Sequence, residues 1–268
     1  MIVEFTGATG AGKTSMAGRV RRKLQERDIR VANARDLLPG RQMAKLLGRE
    51  GVQNIVIELA LSAVIGSSLR RHREFLAFAW RAARSYTDSP YLALKALRGV
   101  WRQIGFYELG RRVKDSTVVI VDEGTVHAAH YLFVQLSSIV NDDYLESFVR
   151  LVPMPDLVVC VEAPREALLV RMKKRADPPR RTLNRLDAEL LVDAAASVFT
   201  RLKCFPGVSA RLLVVGGYYG TPDDYEGEAE RIVQGLGPQA AIARLSLVVG
   251  LPVLGGGRRP ADVGLRAP

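Results

Sequence analysis

The feature that most constrains this chain lies at its start, where Gly7-Ala8-Thr9-Gly10-Ala11-Gly12-Lys13-Thr14 fills every fixed position of the phosphate-binding pattern GxxxxGK[ST]. Glycines let the backbone curl so that successive N–H groups converge on phosphate oxygens. The lysine reaches the β and γ phosphates, and the threonine hydroxyl suits Mg²⁺. The flanks agree with the motif. Met1 to Phe5 reads as a short buried strand, and Lys13 to Arg27 as the following helix, whose N-terminus adds partial positive charge. The pattern predicts ATP and Mg²⁺ as cofactors, with Gly7, Ala8, Thr9, Gly10, Ala11, Gly12, Lys13, Thr14 and Ser15 around the nucleotide and Thr14 on the metal.

A chain of 268 residues is long enough for one large α/β domain or two small ones, and nothing in it marks a second core. The formal charge of +11 is spread over Arg19 to Lys23, Arg70 to Arg73, Arg111-Arg112, Lys173 to Arg175 and Arg180-Arg181. Such a spread does not point to a nucleic-acid partner, and a protein that handles polyanions would also be basic. Cys160 and Cys204 stand far apart and suggest neither a disulfide framework nor a metal site. The first residues enter strand and loop directly rather than a basic-then-apolar leader, so a cytoplasmic protein is expected. The most apolar long run, Ile55 to Leu69, is interrupted by Glu58 and Ser62 and is too short to span a membrane.

Along the chain, Ile29 to Arg35 reads as a second strand, ending in Asp36 and the breaker Pro39-Gly40. In open parallel sheets ligands sit beyond the carboxyl ends of the strands, which makes Asp36 a candidate base; capping a helix is the alternative role. From about 41 to 114 the apolar spacing is helical throughout, with Pro90 placed to open a new helix after Ser89. A block this long between strands predicts a helical substrate-side insertion. Thr117 to Val121 then runs as a strand into Asp122 and Glu123. Asp122 is the candidate that organises Mg²⁺ opposite Thr14, and Glu123 is either a base or the cap of the next helix. His127 and His130 follow without further ligands at metal spacing.

Pro155 to Glu162 supplies a fourth strand, followed by a helix with a basic face of Arg171, Lys174 and Arg175. The run Asp177-Pro178-Pro179-Arg180-Arg181 breaks it, and a helix from about Asn184 to Leu202 brings Arg185 back. Cations on a helix–loop–helix over about 165–185 are what a lid over transferring phosphates needs. Arg211 to Val215 makes a fifth strand and Asp223 to Gln234 a closing helix, while residues 236–268 are Gly-, Pro-, Ala- and Arg-rich and read as a loosely packed tail.

Over residues 1–235 this order resembles the thymidylate kinase and deoxynucleoside kinase branch of the nucleoside-monophosphate-kinase-like P-loop fold. The resemblance is most specific at Met1 to Thr14, at Val118 to Gly124 and at "PDLVVCVEAPREALLVRMKKR". It implies a five-stranded parallel sheet flanked by helices and an ATP-dependent transfer of phosphate to a small-molecule acceptor. Lys13 and Thr14 would serve ATP and Mg²⁺, Asp122 the metal or the acceptor, and Arg171, Arg175 and Arg185 the lid. A homodimer is left open. The chain departs from the family where thymidylate kinases carry Asp-Arg, since Asp122 is followed by Glu123 and Gly124, and Arg35 to Gly40 only echoes their Arg-Glu-Pro-Gly turn. The competing class is a P-loop ATPase, because four apolar residues followed by Asp-Glu is also the pattern in which a glutamate activates water. No Asn-Lys-x-Asp motif supports a GTPase.

Overall fold

A computed structural model describes residues 1–38, 50–87, 89–113, 116–135, 140–174, 185–216 and 222–236. Five strands, β1 (Ile2–Thr6), β2 (Val31–Asn33), β3 (Val118–Asp122), β4 (Leu157–Glu162) and β5 (Leu212–Gly216), form one sheet in the order β2-β3-β1-β4-β5, every pairing parallel. Such strands are covered on both faces and read as apolar runs. Their side chains nevertheless alternate. Val3, Phe5, Val118 and Ile120 enter one cluster with Met16, Ala17, Val20 and Leu24 of α1 (Lys13–Glu26). Ile2, Val119 and Val121 enter another with Leu61, Val64, Phe106 and Leu109.

The block between β2 and β3 contains α2 (Glu50–Gly66), α3 (Leu69–Tyr86) and α4 (Pro90–Arg111), with no strand among the described residues. Ser89 caps α4 by accepting from Leu92 N at 3.2 Å, and Pro90 occupies its first turn, as the sequence predicts. Close packing sets the small residues: a Cβ at Gly105 would lie 2.7 Å from Leu61 Cδ2, and one at Gly110 would lie 3.1 Å from Ile2 Cγ1. Two short helices, α5 (Ala128–Phe133) and α6 (Asp142–Leu151), follow β3. After β4 come α7 (Arg165–Lys173), α8 (Arg185–Cys204) and α9 (Pro206–Ser209), and after β5 comes α10 (Pro222–Gly235). No helix of the described residues is long and apolar enough to cross a membrane.

Boundaries differ from the sequence reading in one informative place. The second strand stops at Asn33, because the Asn33 side chain accepts from Arg35 N at 2.9 Å and starts a 3-10 turn over Ala34–Leu37. The breaker at Pro39-Gly40, the start of the helical block at 41–49, the loop 175–184 and the tail from 237 lie outside the described residues.

At the foot of the insertion, Glu108 is 4% exposed and accepts from His72 Nε2 at 2.8 Å and from Arg71 at 3.2 Å, with Arg111 at 3.4 Å. Burial pushes this carboxyl up, but His72 and the two arginines outweigh it and hold it below its ordinary value. Glu108 and His72 are buried whereas Arg71 and Arg111 are more than a third exposed, so Glu108→Ala mainly strands His72 and should cost about 1–3 kcal/mol in urea unfolding. Because the carboxyl is depressed in the fold, its contribution is present above the ordinary carboxylate range and is lost as pH falls through the folded value. The gap between the two proteins should therefore narrow in acid.

Candidate active site

The site is built where β1 turns into α1. Gly7, Gly10 and Gly12 have φ of 130°, 87° and 100°, a region closed to most side chains. Gly7 is the most constrained, since a Cβ there would stand 2.3 Å from the carbonyl oxygen of Val161 on β4. No side chain caps α1 at Gly12, so the first N–H groups of the helix remain directed at the loop's concavity. Lys13 is 6% exposed. Its Nζ donates to Gly7 O and Ala8 O, each at 3.1 Å, and lies 3.3 Å from Glu123 Oε1.

β3 lies beside β1 with Phe5 paired to Asp122, so its carboxyl end meets the loop. Thr14 Oγ1 donates to Asp122 Oδ2 at 2.7 Å, while Asp122 Oδ1 is buried with no hydrogen-bond partner among the described residues. Burial raises the Asp122 carboxyl, assisted by the charge of Glu123 and opposed by Thr14 and Lys13. A hydroxyl beside a carboxylate with unused lone pairs is a hard oxygen donor set that fits Mg²⁺ completed by phosphates and water. Among the described residues no group of three His, Cys, Asp or Glu side chains could hold a metal, and His127 and His130 are no exception.

Glu123 has φ 65°, an uncommon conformation for a residue with a side chain. Burial opposes its ionisation, yet the Lys13 ammonium at 3.3 Å, the neighbour that stays charged, holds it below its ordinary value. His127 Nε2 lies 3.5 Å from Glu123, but burial drives that imidazole far below its ordinary value and keeps it neutral at neutral pH. Glu123 does not cap the helix after it. No side chain caps α5, whose cap position is His127; the turn leading into it is held by Glu4 of β1, which accepts from His127 N at 2.7 Å and Val126 N at 3.1 Å. Gly124 permits this approach, since a Cβ there would lie 2.5 Å from Glu4 Oε2.

Of the lid candidates, Arg171 of α7 donates through Nη1 to Gly10 O at 3.0 Å and Ala11 O at 3.4 Å, and through Nη2 to the hydroxyl of Tyr225 at 2.9 Å. Arg175 and the Arg185 side chain lie outside the described residues. A cavity of about 180 Å³ is bounded by Thr9, Gly10, Gly12, Lys13, Thr14, Ser15, Glu123 and Arg171. A second, of about 260 Å³, lies behind Gly7 and Ala8 toward Phe199 and Lys203 of α8.

Asp36 stands apart from these groups, on the exposed 3-10 turn with its carboxylate 3.7 Å from Arg21 of α1. Its neighbour Arg35 is the residue within electrostatic reach of Asp122, and Arg102 of α4 is within reach of Arg35 and Tyr131. Sequence reasoning missed Glu4, Arg102, Tyr131 and Tyr225. An isolated acid in an apolar strand was a signal for Glu4; the others carry none.

A parallel sheet in the order β2-β3-β1-β4-β5, with the glycine loop after its central strand and an acid ending the next, is the P-loop NTPase fold of the nucleoside-monophosphate-kinase kind. Among solved structures the chain is similar to deoxyadenosine kinase from M. mycoides with bound dATP, at 14% identity over 88% of this chain and 98% of that one, TM-score 0.46. It is also similar to thymidylate kinase from Candida albicans, at 14% identity over 89% and 92%, TM-score 0.48. A third is shikimate kinase from Bacteroides thetaiotaomicron, at 12% over 88% and 98%, TM-score 0.41. No protein-family model and no curated protein matches the chain.

Two predictions follow the geometry. Lys13→Ala should leave the fold intact and abolish detectable ADP binding by calorimetry. For Glu4, desolvation outweighs the pull of the N–H groups of His127, Val126 and Gly124 and of the Thr125 hydroxyl, and raises the carboxyl from 4.5 to about 7. Since the folded value is the higher one, the favourable contribution is complete below about pH 4.5 and is lost as pH rises through about 7. Glu4→Gln keeps the side chain's shape, cannot titrate and should remove that slope. Relative to the wild type, the variant should gain on the order of 3 kcal/mol between pH 4.5 and pH 8 in urea unfolding.

Proposed function

We propose that this chain is an ATP-dependent phosphotransferase acting on a nucleotide, a nucleoside or another small metabolite that bears a hydroxyl or phosphate group, in a cytoplasmic setting. The observation that carries the reading is Arg171. The helix after β4 brings a guanidinium to the carbonyls of Gly10 and Ala11, so cations from two separate elements, Lys13 and Arg171, border one phosphate-sized cavity. Phosphoryl transfer asks a protein mainly for positioning and for charge around the transferring group, and paired cations supply both.

In this reading the loop N–H groups and Lys13 hold the donor phosphates. Thr14 and Asp122 would hold Mg²⁺, which when bound neutralises phosphate charge. Lys13 exchanges its carbonyl and Glu123 partners for phosphate oxygens, which frees Glu123 to accept a proton from an acceptor hydroxyl. The acceptor enters from the side of Arg35, Arg102 and Tyr131. A small molecule suits this side, and the basic outer face of α1 is engaged by acids of the same chain.

A second reading, a P-loop ATPase, is favoured by the position of Glu123 within the cavity, where it would activate water instead. One assay separates the two: protein, Mg²⁺ and ATP against nucleosides, nucleotides and sugars, with water alone as control. Transfer to one acceptor class should exceed hydrolysis by an order of magnitude or more. Asp122→Asn should lower that rate about 10–100-fold and raise the Mg²⁺ required. Equal turnover with and without every acceptor would favour the ATPase.

A further inference from the structure

We infer that Tyr225 of α10 is a positioning residue that fixes the pivot about which Arg171 engages the transferring phosphoryl group; the inference rests on the phosphotransferase reading above. The two terminal nitrogens of Arg171 have different surroundings. Nη1 faces the loop carbonyls of Gly10 and Ala11, at 3.0 and 3.4 Å, whereas Nη2 faces the Tyr225 hydroxyl at 2.9 Å. A carbonyl oxygen is a weaker partner for a guanidinium than a phosphoryl oxygen, because the phosphoryl group adds opposite charge and can accept from the guanidinium fork bidentately. When phosphate fills the cavity, Nη1 therefore exchanges its loop carbonyls for phosphoryl oxygens. Nη2 has no reason to leave Tyr225.

Tyr225 can serve as the fixed point because α10 is fastened to the P-loop helix, α1. Glu226, its neighbour, meets Arg19 at 3.2 Å and Lys23 at 3.3 Å, and also pairs with Arg22. One turn on, Glu230 meets Lys23 at 3.7 Å and pairs with Arg27. The Arg19 guanidinium lies over the Tyr225 ring, 4.9 Å from its centroid. Arg19, Arg22 and Lys23 stand on α1, which begins at Lys13, and Arg27 is its C-terminal cap residue. The hydroxyl thus keeps its place relative to the loop, and the planar guanidinium, tethered to α7 through Nε, is restrained at a second point by Tyr225. An arginine fixed in this way loses less rotamer freedom on engaging the phosphoryl group, and the gain falls on the transferring state rather than on nucleotide binding.

The test uses Tyr225→Phe, which keeps the ring and its contact with Arg19 and removes the hydroxyl that accepts from Arg171. Affinities are measured calorimetrically for Mg·ADP and for Mg·ADP with fluoroaluminate, whose planar geometry imitates a phosphoryl group in transfer. Tyr225→Phe should bind Mg·ADP within about twofold of the wild type and the fluoroaluminate complex about tenfold more weakly, the size of one hydrogen bond to a charged group. Arg171→Ala should lose at least as much, and the double variant no more than Arg171→Ala alone. Glu230→Gln, which removes one tie between α10 and α1 while Glu226 still holds Arg19, Arg22 and Lys23, should lower the melting temperature and weaken the fluoroaluminate complex by less than Tyr225→Phe does. If Tyr225→Phe weakens both complexes equally, or if its loss adds in full to that of Arg171→Ala, Tyr225 is only structural and the inference fails. A wild-type protein that binds Mg·ADP no better with fluoroaluminate than without it also overturns it. A wild-type protein that binds no Mg·ADP at all overturns instead the phosphotransferase reading on which it stands.

Discussion

The arrangement at Lys13 is what the rest of the site depends on. A buried ammonium is costly unless oxygen atoms surround it, and here they come from Gly7, Ala8 and Glu123. Each partner exists because of a separate backbone constraint. Gly7 supplies its carbonyl from a conformation in which any side chain would strike Val161, and Glu123 reaches Lys13 from a left-handed turn at the end of β3. The parallel register of β1 with β3 and β4 brings these three chain segments together. The resting lysine is thus satisfied by groups that phosphate oxygens outcompete, which holds the charge ready without leaving it unpaired.

Around this centre the acids divide by depth. Glu4 lies in the central strand and organises the turn between Glu123 and α5 through backbone N–H groups, while Asp122 sits beside Thr14 at the mouth of the loop. Glu108 works at the other end of α4 from the phosphate cavity, tying α3 to α4 through His72 and Arg71. The basic run on α1 has a local purpose. Arg19, Arg22, Lys23 and Arg27 meet Glu226 and Glu230 of α10, so part of the chain's positive surplus serves to fasten its last described helix to its first. Individually such exposed pairs contribute little, but as a network they set where α10 lies.

Much of the fold was legible in the residues, because its signals are local. An apolar run bounded by glycines specifies β1 and the loop, a proline after serine starts α4, and four apolar residues before Asp122 mark β3. The glycines at 7, 10 and 12, with Lys13 and Thr14, carry their chemistry in their spacing, since the loop's conformation is set within eight residues. Even so, Asn33 shortened β2 by capping a turn that periodicity does not see, and that turn sends Asp36 toward Arg21 and leaves Arg35 on the side of Asp122.

Only the tertiary structure decided which distant side chains meet. Glu4 and His127 are 123 positions apart, Arg171 and Gly10 are 161 apart, and Arg171 and Tyr225 are 54 apart on different elements. No spacing rule links such pairs, because their separation is fixed by strand order and by the packing of α10 on α1 rather than by the pitch of any one helix or strand. The sequence by itself determined a phosphate-binding loop between a strand and a helix, since glycine conformation and helix polarity are properties of contiguous residues. The sheet order and helix packing determined that Glu123, Arg171 and Tyr225 surround that loop, since those contacts are made only when non-adjacent elements are brought into register.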